Sequence, residues 1–412
     1  MADGVLFVGS RDGAVYAIDS SSGRLRWRFQ TGEGLTSGPE VITVPEGTTL
    51  PEMMSAALAR GSPGKKEVQA TPVVEAGSVF IGSQDHSLYA LDAASGNRRW
   101  AFRTGEKIYE SAIVANDKVY VVSGDAVLYA LESATGEKRW TFETLPRGAN
   151  PRPPGQALLQ GGTLYVTNWP FRRGDTPNTS YVHAVDAESG QARWTRSVDG
   201  GFVSEPAVTA GRVLVANSED DTFLYAFDEA SGATKWKASI EGGRHGVGRA
   251  PMVTGGMVYL ETEKTLAAFD VATGAQKWRF ATKGIEEGIA ADERFVYVVS
   301  YGGLQLMPRM TLRALDAATG REAWSLGRSS VVSIQGIQRG TVYISAGAAL
   351  DAIDSATGKK LWSFGTGTGV SSAPLITDRS LFVTSATQTF IDKPQKPGHL
   401  YAIDSKTGKL KP

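Results

Sequence analysis

The sequence predicts an all-β chain built from one repeated four-stranded unit, and three observations lead there. Nine segments share a pattern: an apolar strand ends in an acidic residue, a Ser or Thr and a Gly follow, and the next strand carries Trp. From Trp100 onward the repeated Trp residues fall at intervals of 40, 54, 42, 42, 46 and 38 residues, close to the roughly 40–50 that a four-stranded blade takes. Gly is abundant, at 48 of 412 residues, beside a hydrophobic content of 41%. That mixture suits short strands joined by tight turns, where Gly supplies a positive φ. A lone four-stranded sheet cannot bury both faces, whereas a ring of sheets stacked face to face can. The expected fold class is therefore all-β: a closed β-propeller of four-stranded antiparallel blades.

The copies run in order along the chain. Tyr16-Ala17-Ile18-Asp19 leads to Gly23 and Trp27, Leu91-Asp92 to Gly96 and Trp100, and Leu131-Glu132 to Gly136 and Trp140. Val185-Asp186 follows with Gly190 and Trp194, Phe227-Asp228 with Gly232 and Trp236, and Phe269-Asp270 with Gly274 and Trp278. Then come Leu315-Asp316 with Gly320 and Trp324, Ile353-Asp354 with Gly358 and Trp362, and Ile403-Asp404 with Gly408. Each acid is placed to accept backbone N–H groups within its turn, and each Gly sits where φ turns positive. Each copy is thus a β-hairpin. Upstream of most hairpins lie two further strands, such as Pro72-Val73-Val74 and then Val79-Phe80-Ile81. The eight Trp residues at equivalent positions are expected to wedge between neighbouring blades.

Nine hairpins suggest nine blades, yet the first copy lacks a preceding first strand and the last reaches Pro412 before a Trp. The chain reads as one domain over residues 1–412. The interval from Trp27 to Trp100 is 73 residues, and its excess forms an insertion at 42–68. Within it, Leu50 to Arg60 reads as a short helix, with Pro51 near its start and Gly61 after its end.

Composition excludes several functions. Lys+Arg and Asp+Glu both number 43, so no broad cationic field exists for nucleic acid or anionic lipid. Cys is absent, which removes disulfides, thiolate metal sites and cysteine catalysis. No apolar run reaches the length of a membrane span, and no signal peptide is visible. No Gly-x-Ser-x-Gly elbow occurs. The four His residues, His86, His183, His245 and His399, show no metal-ligand spacing.

The string Tyr-Ala-Ile-Asp-x-x-Thr-Gly-x-x-x-Trp, as in Leu88 to Trp100 and Leu350 to Trp362, resembles the PQQ-like (quinoprotein-type) propeller repeat over nearly the whole chain. The resemblance implies eight blades, and it has two branches. Quinoprotein dehydrogenases bind pyrroloquinoline quinone and Ca²⁺, and many carry an adjacent Cys pair, which this chain lacks. The other branch is similar to the propeller proteins of the outer-membrane β-barrel assembly machinery, which are cofactor-free scaffolds that bind a partner through loops on one face. Size and composition favour the second branch.

Function should lie where the copies disagree. The pair before the first strand of a blade is small in most copies, as in Ala70-Thr71. It becomes Glu110-Ser111, Ser204-Glu205 and Glu286-Glu287 in three blades and Arg249-Ala250 in another. Glu110, Glu205, Arg249, Glu286 and Glu287 are expected at one level around the channel mouth, where converging carboxylates bind a cation or a basic peptide. A solvated polar funnel is the plainer alternative. The loop Asn168 to Asp175 carries Trp169, Phe171, Arg172 and Arg173, the aromatic and Arg mixture that protein interfaces favour. It marks the expected partner contact.

The expectation is a non-enzymatic protein-binding scaffold of the bacterial cell envelope, monomeric, with no catalytic residues, metal or cofactor. Its partners would belong to membrane-associated assembly machinery. The alternative is a PQQ- and Ca²⁺-binding protein, a dehydrogenase or a sensor, using the channel mouth. Location follows the leader: periplasm or envelope if one was removed, cytoplasm if the start is natural.

Overall fold

The first hairpin shows why the repeat folds as it does. Asp19 ends one strand, and its Oδ1 accepts the backbone N–H groups of Ser21 and Ser22 at 3.1 and 2.9 Å. Its other oxygen takes Arg26 from the returning strand at 2.6 Å. Gly23, at φ 68°, lets the chain turn back. The same arrangement recurs at Asp92 with Arg99 and at Asp186 with Arg193. At Glu132 the longer side chain spends itself on Arg139, which donates through two nitrogens to one carboxylate oxygen.

A computed structural model describes residues 3–10, 13–32, 70–146, 155, 157–168, 179–200, 202–217, 222–241, 250–282, 284–302, 309–328, 332–370, 374–377, 379–386 and 399–411. Every named element among them is a strand. The strands form nine antiparallel sheets in chain order: residues 5–30, 73–103, 113–143, 158–199, 207–240, 252–281, 285–328, 332–365 and 369–404, numbered here sheets 1 to 9. These sheets are the blades of a β-propeller, and the nine-hairpin count, not the eight of the resemblance, is the one they follow. Sheets 2 to 8 each run in simple order from first to fourth strand, while sheet 1 has three strands. In sheet 9 two short first-strand pieces, Gly369–Val370 and Leu375–Ile376, share one partner strand. Its fourth strand is reduced to the bridge Ile403 to Leu410.

The described chain divides into two compact units. One runs to Asn217 and takes in Phe227–Ala233; the other holds Ser218–Ala226 and everything from Thr234 on. Inside each unit the core repeats. The Trp of a sheet lies beside an aromatic ring of the second strand, as in Phe80–Trp100, Tyr120–Trp140 and Tyr259–Trp278, each with centroids 5.8 Å apart. These tilted pairs add to the area term of burial.

The expected Trp wedge is found at eight successive junctions. Each Trp ring covers the turn Gly of the next sheet, from Trp27 on Gly96 to Trp362 on Gly408. A Cβ added to any of those Gly residues would stand 2.5–2.6 Å from ring atom Cδ2 or Cε3. The Gly therefore does two things: it adopts φ between 68° and 74°, and it clears space for the indole. Each indole N–H also donates to a backbone carbonyl of that next turn, for example Trp100 to Ser133 at 2.9 Å and Trp324 to Ser355 at 2.8 Å. One residue thereby supplies apolar contact and satisfies a carbonyl that the turn leaves unpaired.

In sheets 2 and 3 a second fastening lies three residues before the turn acid. Tyr89 donates to Asp85 at 2.6 Å, accepts the Gly32 N–H at 3.3 Å, and packs edge-on against Phe29 of the preceding sheet. Tyr129 repeats this with Asp125, Gly105 and Phe102. Burial comes first in pushing both phenols up to about 12, with the Asp hydrogen bond next.

Candidate functional site

The acidic site begins with two local anchors. Gly82 faces Ile108 so closely that an added Cβ would stand 2.3 Å from the Ile108 methyl. Ile108 is fully buried, and this seat holds the Tyr109-Glu110 segment ahead of the strand Ile113–Ala115. The second anchor is Ser204. Its N–H donates to Ala216 and its hydroxyl oxygen accepts the Ala216 N–H, at 2.8 and 3.0 Å. The same hydroxyl donates to the Glu205 carbonyl at 2.9 Å. Glu205 is thereby fixed ahead of the strand Ala207–Thr209.

Gly155 lies ahead of the first strand of the intervening sheet 4. A Cβ there would be 2.9 Å from Glu205 Cγ and 3.5 Å from its Oε1. The missing side chain leaves room for the Glu205 carboxylate. Glu110 and Glu205 come close enough to interact: burial raises the Glu110 pKa, and the Glu205 charge raises it further. Two carboxylates brought together in a half-buried place favour a proton or an external cation between them. The equivalent positions of adjacent sheets also meet directly, since the Thr71 N–H donates to the Ser111 hydroxyl at 3.0 Å.

The other expected site residues fare differently. Glu286 and Glu287 fall inside the strand Ile285–Ala291, not ahead of it. The register of that strand is irregular between Ile285 and Ile289, and Glu287 stands three residues ahead of Ala290 as Glu110 stands three ahead of Ile113. Their side chains lie outside the described residues. So do Arg249, the loop with Trp169, Phe171, Arg172 and Arg173, His245, and the whole 42–68 insertion with its expected helix. Among the described residues, no group of three or more His, Cys, Asp or Glu converges as a metal site.

His183 is structural. It is buried, its Nε2 lies 2.9 Å from the Thr144 carbonyl and its Nδ1 3.0 Å from the Thr195 hydroxyl. Burial pulls its pKa down to about 4. It occupies the same column as Tyr89 and Tyr129 and packs on Phe142 as they pack on Phe29 and Phe102. Sequence reasoning overlooked this column, although its spacing from the turn acid is constant. A shallow polar groove of about 520 Å³ beside Trp140, lined by Lys118, Arg139 and Glu188, also went unforeseen. Its charges are already paired, Lys118 with Glu188 and Arg139 with Glu132.

Sheets fastened Trp-on-Gly with this repeat define a β-propeller of the PQQ-like class. The chain belongs to the family described as outer membrane protein assembly factor BamB, whose model matches residues 1–50, 45–170, 178–291 and 308–411. A curated relative, the outer membrane protein assembly factor BamB of Nitrosomonas eutropha, is 29% identical over 110 residues. That stretch is 25% of this chain and 26% of the relative, so the match spans about a quarter of either. Among solved structures, quinohemoprotein alcohol dehydrogenase from Comamonas testosteroni is similar with a TM-score of 0.60 and 17% identity, covering 81% of this chain and 74% of its own. BamB from Moraxella catarrhalis is similar with a TM-score of 0.53 and 17% identity, covering 84% and 92%. At these identities the structural likeness speaks to fold alone.

Proposed function

We propose that the chain is a non-enzymatic protein-binding scaffold of the bacterial cell envelope, working with outer-membrane assembly components. The observation that carries this reading is the family match, which extends over nearly the entire chain. The repeat residues support it, because Asp, Gly and Trp are consumed in turns and junctions and leave no spare chemistry there. The partner would meet the loop carrying Trp169, Phe171, Arg172 and Arg173. A basic group of the partner would meet Glu110 and Glu205, with Arg249, Glu286 and Glu287 as further proposed members of that mouth.

The test is capture from an envelope extract with the purified chain as bait. Wild type is expected to retain an outer-membrane assembly component. Trp169→Ala with Arg172→Ala is expected to lose it at least tenfold. Equal capture by the variant removes the loop from the proposal.

The fold likeness to a quinohemoprotein dehydrogenase favours a second reading, a quinone and Ca²⁺ site at the same mouth. Ca²⁺ takes six to eight oxygen ligands, and among the described residues the Glu110–Glu205 pair alone falls short of that set. Titration with quinone and Ca²⁺, followed by absorbance, decides the matter. Saturable binding that Glu205→Ala abolishes would overturn the pure scaffold reading.

A further inference from the structure

We infer that the turn end of sheets 8 and 9 is a docking surface for an anionic lipid membrane. Charge balances over the whole chain but not within these two sheets. Their described residues, between 332 and 411, hold seven Lys or Arg against three acids. Successive strands run antiparallel, so the turn after the first strand and the turn after the third lie at one end of a sheet. In sheet 8 this end carries Arg339, Lys359 and Lys360; in sheet 9 it carries Arg379, Lys406 and Lys409. Trp362 joins the two groups: its ring covers Gly408 and its N–H donates to the Ser405 carbonyl at 3.2 Å. The Ser405 N–H donates in turn to the Arg379 carbonyl at 3.3 Å. The lysines depart from the repeat. Lys406 stands where sheets 2, 6 and 7 have Ala94, Ala272 and Ala318, and Lys359 and Lys409 stand where sheets 4, 5 and 6 have Gln191, Ala233 and Ala275.

The acids of these sheets are taken up within the fold. Asp354 Oδ1 accepts the Thr357 N–H at 2.8 Å, and Asp404 Oδ1 accepts those of Lys406 and Thr407 at 3.1 and 2.9 Å. Asp351 is buried and pairs with Arg328. A second observation is apolar. The large hydrophobic side chains that stand exposed among the described residues are Leu361, Leu375 and Leu410, at 53%, 39% and 59%, and all three lie in these two sheets. Leu361 follows Lys360, and Leu410 sits between Lys409 and Lys411. Lysine beside exposed leucine suits a membrane interface, where lipid phosphates attract the ammonium groups and the apolar side chains enter the headgroup boundary. An acidic protein would be met with different residues. Protein interfaces favour Arg and aromatic rings and are depleted of Lys, yet five of the seven bases here are Lys.

This surface includes neither the Glu110–Glu205 pair nor the Trp169 loop, so it and the scaffold reading can fail separately. Co-sedimentation of the full chain with vesicles tests it, comparing equal parts phosphatidylglycerol and phosphatidylcholine with phosphatidylcholine alone. Wild type is expected to pellet with the anionic vesicles only, and to leave them in about 1 M salt, where the screening length falls to roughly 3 Å. A base near an anionic surface is worth about fivefold in partitioning, so Lys359→Gln, Lys360→Gln, Lys406→Gln and Lys409→Gln combined are expected to cut binding by at least about tenfold. Leu410→Ser is expected to weaken binding about threefold and to keep the preference for anionic lipid. All five positions are exposed, so unchanged melting curves are expected. A charge-matched variant with Arg24→Gln, Lys138→Gln, Lys264→Gln and Lys277→Gln, from sheets 1, 3 and 6, is expected to bind as wild type does. Wild type left in the supernatant with anionic vesicles overturns the inference, and that is the result a surface made for an acidic protein would give. A lysine variant that binds as wild type overturns it too. So does equal loss in both variants, which would assign the binding to charge in general and not to this surface.

Discussion

Junctions between consecutive sheets carry a Trp-on-Gly contact and, at several of them, a second fastening, and the two differ in how strictly they repeat. The Trp-on-Gly contact is the same at all eight junctions. The column three residues before the turn acid drifts: Tyr89 and Tyr129, then His183 and Tyr225, and later Ala267, Arg313, Asp351 and Tyr401. The contrast has a physical source. At the first fastening, the Gly must adopt positive φ and also lie flat under an indole, so neither residue can change alone. At the second, a ring rests on the preceding sheet's Phe and a polar atom finds any nearby partner. Several solutions satisfy that. Arg313 stacks over Phe280 at 5.9 Å, Tyr401 donates to Thr366 at 2.8 Å, and Asp351 pairs with Arg328 at 2.9 Å. The strict contact joins each sheet to the next; the lax one tolerates charge.

Breaking the strict contact should have the largest effect. Trp100→Ala removes a buried ring and its bond to Ser133, and a loss of about 3–5 kcal/mol is expected in denaturant unfolding. An effect below about 1 kcal/mol would mean that the junction tolerates a void and would erase the contrast.

The lax column is sharpened by acid. His183 is held neutral in the fold, with a pKa near 4 against 6.5 in the unfolded chain. A depressed His favours the fold only while neutral, so stability is present above about pH 6.5 and is lost as pH falls toward 4. The expected loss approaches roughly 3 kcal/mol at 1.36 kcal/mol per pH unit. His183→Tyr restores the residue found in sheets 2 and 3 and should remove this share of the pH dependence. Unfolding curves at pH 7 and pH 4.5 for both proteins check it; an unchanged slope in the variant would show that other groups carry the effect.

The turn carboxylates come next. Asp92 is held down to about 2, first by Arg99 and then by Ser95, yet the pair is open to solvent, Arg99 at 41% and Asp92 at 30% exposure, so screening discounts the ion pair. Asp92→Ala is expected to cost about 1 kcal/mol, chiefly through the lost turn hydrogen bonds. A similar cost for Glu132→Ala would show that the Arg pairing, not the turn amides, is the part that matters.

The smallest effect belongs to the acidic pair. Glu110 has a raised pKa, so the fold favours its neutral form and its ionisation works against stability as pH rises. Glu110→Gln is expected to stabilise slightly at pH 7 and to make no difference below about pH 4, as read by thermal melting. If Glu110→Gln also weakens partner capture, the strain at this pair serves binding.

The nine hairpins, their acidic turns and the Trp wedge were all legible in the sequence, because each rests on contacts within a few residues or on a spacing that repeats. The Glu110–Glu205 encounter was half legible. The two acids stood out as departures, but Gly155, which makes room beside Glu205, gave no signal of its own. The second column was missed for a different reason. Tyr, His, Arg and Asp share no chemistry, and only their place against the preceding sheet unites them.

The sequence by itself determined the unit: which residues turn, which face inward and how often the pattern returns. Those choices follow from φ, from alternation along a strand and from local hydrogen bonds, all of which act over short separations. Only the tertiary structure decided what the departures mean. It buried His183 against Phe142 and set Glu110 near Glu205 across an intervening sheet. Those outcomes depend on which strands become neighbours, and residues far apart in the chain carry no mark of that.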